Sequence, residues 1–201
     1  MKVAIKDANV FIDLEIAGLF DLWFQLGIET HTSVFIQEEL ENGGHEQALA
    51  YFESGQVVSH AFDFEEIALV DNLMREANKA ASFNDCSVLY LAEKLKAPLL
   101  SGDNALRKSA QRRGVEVKGT LWVFDQLVSR KLLKTPVAAQ KLRHLAGDPS
   151  GGFCLLMRRR DPVELLGVWV LRKAPERTIG SDRRAAELEG ALPTQLFPCG
   201  N

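Results

Sequence analysis

Val3-Ala4-Ile5-Lys6-Asp7-Ala8-Asn9-Val10-Phe11-Ile12 is the stretch that decides the fold. It reads as a short strand that ends at Asp7. Apolar residues then recur at helical spacing through Leu14, Ile16, Leu19, Phe20, Trp23 and Phe24. The same alternation continues downstream. Short β-favouring runs fall at 32–35, 56–59, 98–101 and 115–117. Helical patterns fall at 36–40, 45–52, 64–80, 82–96, 104–113, 121–132 and 137–145, with Gly114 as a stop signal after the fifth. The helix over 64–80 is predicted to bury Ile67, Val70, Leu73, Met74 and Ala77, and that over 82–96 to bury Leu89, Leu91, Ala92 and Leu95. Strands spaced by helices imply an α/β fold, with a mostly parallel central sheet covered by helices on both faces. Ligands of such sheets bind beyond the carboxyl ends of the strands. The residues just after each strand therefore become the candidates for chemistry.

Composition narrows the class. The 201-residue chain is 46% hydrophobic and 25% charged, which excludes a fully disordered chain. No apolar run approaches the ~18 residues of a membrane span; 165–171 is among the longest. Residues 1–11 carry neither a long apolar stretch nor a small-residue cleavage site, so a secretory leader is not expected. The three cysteines, Cys86, Cys154 and Cys199, have no metal-like spacing and argue against a disulfide framework, which fits a cytoplasmic location. A net charge of −3 excludes a basic nucleic-acid wrapper but leaves room for a local basic face.

Carboxylates stand at the strand ends. Asp7 follows the first strand and Asp103 follows Leu99-Leu100-Ser101. Glu38 and Glu39 begin the helix after the second strand, and Asp85 sits three residues after Ser82. Gathered at one sheet edge, such groups repel and raise one another's pKa unless a cation holds them. An all-oxygen set favours Mg²⁺ or Mn²⁺ over Zn²⁺. Each acid also has a local reading. Asp103 fits a helix N-cap, Ser82 and Asp85 fit a capping box, and Glu38 or Glu39 fits a solvated acid near a helix N-terminus. For Asp7 the local alternative is an Asx turn through Asn9. The four histidines, His31, His45, His60 and His144, are scattered along the chain, and Cys86 reads as a small apolar residue inside its helix. Dinucleotide-binding loops, P-loops and nucleophile elbows are absent from the sequence.

The order of these segments resembles a PIN domain, the fold of many Mg²⁺-dependent ribonucleases, including toxins of toxin–antitoxin pairs. The matching segments are Asp7-Ala8-Asn9-Val10-Phe11-Ile12, Gln37-Glu38-Glu39-Leu40, Asn84-Asp85-Cys86 through Leu91-Ala92, and Leu99-Leu100-Ser101-Gly102-Asp103, followed by Gly114-Val115-Glu116-Val117-Lys118-Gly119-Thr120-Leu121. The resemblance covers about residues 1–145 and implies a three-layer α/β/α nuclease domain over 1–147. It implies catalytic acids at Asp7, Glu39, Asp85 and Asp103, with Asp7, Asp85 and Asp103 holding Mg²⁺ (or Mn²⁺). Glu39 is preferred over Glu38 because it stands directly before the apolar Leu40. Ser101 matches a residue that supports the first carboxylate or the metal, and Asn9 a polar residue near the site. The implied partners are an RNA substrate, an antitoxin protein and a second copy in a homodimer, and none is a membrane. Arg107 and Lys108, on the helix after Asp103, are candidate phosphate contacts, whereas Arg112 and Arg113 read as a solvated face. Phe20, Trp23 and Phe24 read first as core; the resemblance adds a dimer or antitoxin contact.

The composition changes near residue 147. Residues 1–147 carry 20 acidic and 16 basic side chains, and residues 148–201 carry 7 and 8. Five of the seven prolines lie in the last 54 residues, where Lys173 stands alone against seven arginines. The segment 148–201 is therefore expected to be a poorly structured extension, with 163–171 as a short strand or helix. Three origins compete: an RNA-binding arm using Arg158, Arg159 and Arg160, a partner-binding arm, or translation from a shifted frame. The loss of lysine with the rise of arginine and proline favours the last.

Overall fold

The computed structural model describes residues 3–77 and 80–148. The expectations for the extension, including Arg158 to Arg160, 163–171, Cys154 and Cys199, lie outside the described residues.

The chain opens with β1 (Val3–Lys6), α1 (Ala8–Ala17) and α2 (Phe20–Phe24). Then come β2 (Glu29–Ser33), α3 (Val34–Asn42), α4 (Glu46–Glu53) and β3 (Val57–His60). The long pair α5 (Phe64–Glu76) and α6 (Phe83–Leu95) precedes β4 (Leu99–Leu100) and α7 (Asn104–Arg112). The fold closes with β5 (Val117–Lys118), α8 (Thr120–Ser129) and α9 (Thr135–Gly147).

The five strands form one sheet in the order β3-β2-β1-β4-β5, and every pairing is parallel. Each parallel step needs a helical crossover, and right-handed crossovers assign the helices to faces. On one side α1 packs against α3, α4, α8 and α9; on the other, α6 packs on β1 and β2 and against α5 and α7. The result is the expected α/β three-layer arrangement. The chain winds outward from β1 through β2 to β3, then returns to β4 on the other flank of β1. The reversal therefore lies between β1 and β4, and the crevice beyond their carboxyl ends is the place where such sheets bind ligands.

The core explains the short strands. Ile5, Leu99 and Leu100 are fully buried between the helix layers, each worth roughly 1.5–3 kcal/mol by area. Trp23 is fully buried and Phe20 nearly so. Their core reading holds, which leaves them unable to serve a partner. Trp23 also donates its indole N–H to Thr30 Oγ1 at 2.7 Å.

Several local readings shift. The periodicity from Leu14 to Phe24 is divided between two helices, because Gly18 adopts φ 57° and caps α1. Only a residue without Cβ takes that conformation freely. The second strand starts three residues before position 32, and Val34 and Phe35 are helical. Ile67 is 38% exposed and Leu95 36%, so the two helices present narrower buried stripes than their periodicity predicts. Phe64 and Leu69 on α5 are exposed as well. The histidines are less scattered in space than in sequence. His31 and His60, on neighbouring strands, stack with ring centroids 5.1 Å apart and a 2.8 Å Nδ1–Nε2 contact. Parallel pairing of β2 with β3 brings them together, which chain spacing does not reveal.

Candidate metal centre

Asp7 occupies the N-cap position of α1, yet its side chain makes no capping hydrogen bond. Its backbone N–H instead donates to Leu100 O, which ties the end of β1 to the end of β4. The carboxylate is 2% exposed. Ser101 Oγ donates to Asp7 Oδ2 at 2.8 Å, and Asn9 Nδ2 approaches the same oxygen at 3.5 Å. Ser101 Oγ also accepts from the Asp103 backbone N–H at 3.0 Å. One hydroxyl thus links the first acid to the loop that carries the last. Asn9 acts toward Asp7 rather than only on its own backbone.

Asp85 and Asp103 satisfy their local readings in full. Asp85 Oδ2 accepts from both the backbone N–H and the hydroxyl of Ser82, completing the capping box. Asp103 Oδ1 accepts from the Leu106 N–H and caps α7. Each cap uses one oxygen, so capping and a role at the crevice are compatible. Glu39 Oε2 accepts from Asn84 Nδ2 at 2.8 Å. A second tie holds the same two helices, since Ser33 Oγ and Ser87 Oγ lie 2.7 Å apart. Asn84 is the residue whose role the sequence reading missed. Its only signal was its place directly before Asp85.

Charge links Asp7 with Asp85 and Glu39, and Asp85 with Asp103 and Glu39. The Asp7 carboxyl is pushed up to about 7, by burial first and then by the Asp85 charge; Ser101 opposes the rise and Glu39 adds to it. The Asp85 carboxyl is raised by burial, with Ser82 opposing and Asp103 and Glu39 contributing. Glu38 takes no part in either set, which favours Glu39. Among the described residues, no three His, Cys, Asp or Glu side chains converge tightly enough to hold one ion between them. The donor chemistry still fits a hard divalent cation. The set is all oxygen, and its mutual repulsion is what a cation relieves.

The predicted substrate contacts differ from each other. Arg107 Nη1 donates to Ser101 O at 3.2 Å and to Lys118 O at 3.3 Å, clasping the ends of β4 and β5. Gly119 permits this, since a Cβ there would stand 3.3 Å from Arg107 Nη1. Lys108 is exposed on α7. Arg113 pairs with Glu93 and Glu76, bridging α7 to α6 and α5, and Arg112 Nε donates to Lys108 O.

The molecule is thus a doubly wound parallel α/β domain with acids beyond the carboxyl ends of β1 and β4. A family model described as PIN domain matches residues 3–148. The chain belongs to the PIN domain family, and its fold is of the nuclease type. No curated protein matches the chain.

Ser101→Ala removes the hydroxyl that favours the charged form of Asp7. The Asp7 pKa is expected to rise further, so that any affinity for a divalent cation falls severalfold at pH 7 and recovers at pH 8.5. Calorimetric titration at the two pH values checks this. Equal loss at both would place the effect in folding instead.

Proposed function

We propose that the protein is a Mg²⁺- or Mn²⁺-dependent endoribonuclease that hydrolyses RNA phosphodiester bonds, as the toxin of a toxin–antitoxin pair. The observation that carries this reading is the buried Asp7 carboxylate, raised to about 7 by its burial and by Asp85 and Glu39. Such a cluster opposes its own ionisation unless a cation is present. Asp7, Asp85 and Asp103 would hold one or two ions, in part through bridging water rather than by all three binding one ion directly. A bound divalent ion supplies an activated water and neutralises charge on the phosphoryl group. Glu39, fixed by Asn84, orients the attacking water. Ser101 and Asn9 hold the Asp7 carboxylate, and Ser101 fixes the Asp103 loop. Lys108, exposed on α7, would contact a substrate phosphate. Arg107 holds the strand ends and, through its remaining N–H groups, offers a second phosphate contact.

The family match supports a nuclease domain over 1–147 with 148–201 as an extension. With Phe20 and Trp23 buried, the exposed Phe64 and Ile67, three residues apart on α5, support a homodimer or an antitoxin contact. No helix among the described residues is long and apolar enough to cross a membrane.

The test is cleavage of RNA by purified protein with Mg²⁺ or Mn²⁺, beside an EDTA control. Metal-dependent cleavage is the expected result; cleavage that persists in EDTA would overturn the reading. Asp103→Asn separates chemistry from capping, because asparagine caps helices as well as aspartate. It should change stability by no more than about 0.5 kcal/mol and lower the cleavage rate on the order of 10²-fold. Thermal unfolding beside single-turnover kinetics measures both. A full-rate Asp103→Asn enzyme would reduce Asp103 to a cap.

A further inference from the structure

β3 is the last strand on its flank of the sheet and pairs with β2 alone. Its other side exchanges no backbone hydrogen bond among the described residues. An edge strand presents alternate N–H and C=O groups outward, a template for one more strand unless it is short, charged or covered. The opposite edge, β5, is two residues long and carries Lys118. β3 is Val57-Val58-Ser59-His60, twice as long and without lysine or proline, and Val58 is 43% exposed.

A groove of about 500 Å³ runs beside this edge, between β3 and the helices α3 and α4. The buried Val57 and the half-buried Leu49 and Phe52 give it an apolar lining. Gly55, at φ 74°, turns the chain from α4 into β3 and so sets Phe52 and Glu53 close to Val57. Glu41 and Glu53 also line the groove, and both are exposed. Among the described residues, neither carboxylate forms an ion pair, and no basic side chain lines the groove. Ser59 lines it too, and its buried Oγ has no hydrogen-bond partner among the described residues. Such groups are uncommon in folded proteins. Val57 and Ser59 are two residues apart and therefore face the same side of the sheet.

These features specify a ligand. The free backbone edge calls for an extended chain. The apolar lining calls for an apolar side chain on the face turned toward α3 and α4. The two unpaired carboxylates call for a cation on that same face, which in a strand means two positions along. We propose that β3 takes up an extended segment of a partner protein as a sixth strand of the sheet. An apolar side chain of that segment enters between Leu49, Phe52 and Val57, and a lysine or arginine two positions away meets Glu41 and Glu53. Main-chain hydrogen bonds supply the affinity and the alternate side chains the selectivity. A second copy of this chain fits less well, because β3 paired with β3 brings no cation to the carboxylates. The proposal is independent of the nuclease reading.

The probe is a fluorescein-labelled peptide, Thr-Val-Thr-Arg-Thr-Val-Thr, titrated with the full chain and followed by anisotropy. Its valines and arginine share one face. Saturable binding is expected, weakened about fivefold when glutamate replaces the arginine of the peptide. N-methylation of one alternate set of peptide residues should abolish binding and that of the other set should spare it, since only one set turns its N–H groups to β3. Glu41→Gln with Glu53→Gln in one protein should also weaken binding about fivefold. Both residues are exposed, and an unchanged Tm would show that the fold is kept. Absence of binding, equal effects of the two N-methylated sets, or full affinity in the folded double variant would overturn the proposal. Sedimentation of the chain alone gives the remaining outcome. A dimer that Val58→Lys dissolves would assign the edge to a second copy and overturn the peptide site.

Discussion

Asp7→Asn is expected to eliminate metal-dependent RNA cleavage, by a factor on the order of 10³ or more, and at the same time to make the metal-free protein more stable. The first effect follows from removing the most buried carboxylate of the set, which amide substitution does without changing shape. The second follows from the cost of that carboxylate. Asp7 titrates near 7 in the folded protein against 3.8 for an unhindered aspartate. Between those values the folded state binds more protons than the unfolded one, so stability falls as pH rises through that window. Above about pH 7 the full cost is present, and below about pH 4 it is absent. In EDTA, Asp7→Asn should therefore exceed the wild type by about 1–3 kcal/mol at pH 8 and match it near pH 4. Mg²⁺ should raise the wild-type Tm at pH 8 and leave the Asn variant nearly unmoved, because only the wild type gains binding free energy. Thermal unfolding at two pH values, with and without Mg²⁺, reads all of this. A variant less stable than wild type at pH 8 in EDTA would show that Asp7 is held for structure.

Lys6→Met is expected to stabilise the fold by about 1–3 kcal/mol at neutral pH, which is about 2–12 °C in Tm for a domain of this size. Lys6 is fully buried on β1, and its Nζ has no hydrogen-bond partner among the described residues. Four rings surround the amine, with Trp23 closest at 3.9 Å to its centroid and Phe11, Phe20 and Phe24 within 5.9 Å. Cation–π attraction offsets part of the desolvation, yet burial still pushes the Lys6 amine well below the usual lysine range. The unfolded chain then binds the proton that the folded chain releases. Wild-type stability therefore rises with pH toward the ordinary lysine pKa, and the advantage of Lys6→Met narrows along the way. Methionine is nearly isosteric and meets aromatic rings favourably. Chemical denaturation at pH 7 and pH 9.5 tests the claim. A destabilised Met variant would mean that the cage holds lysine as an ammonium and depends on its charge.

The partly legible features divide along a physical line. The caps at Ser82 and Asp103 were readable because each involves residues within three positions of one another. The alternation of strand and helix was readable because its periodicity is local, and parallel pairing follows from helical crossovers. The stripes on α5 and α6 were over-read at Ile67 and Leu95. Periodicity shows which face of a helix is apolar, and the neighbouring layer decides how wide a stripe it covers. Asn84 and the His31–His60 pair were missed for the related reason that their partners lie 45 and 29 residues away.

The sequence by itself determined the family and the α/β layering, and it marked Asp7, Asp85 and Asp103 at the starts of helices; Glu39, expected at a helix start, falls in the middle of α3, because the helix begins at Val34. Only the tertiary structure decided that these acids influence one another. That depends on β1 and β4 being neighbours, which places Ser101 within 2.8 Å of Asp7 across 94 residues of chain. It also decided that Lys6 is buried and that Phe35 on α3 and Phe83 on α6 meet edge to face. Local free energies are set by neighbours in the chain and leave a pattern in the sequence. The carboxylate cluster, the lysine cage and the ring pair arise from long-range packing, and their energies exist only once the layers have closed.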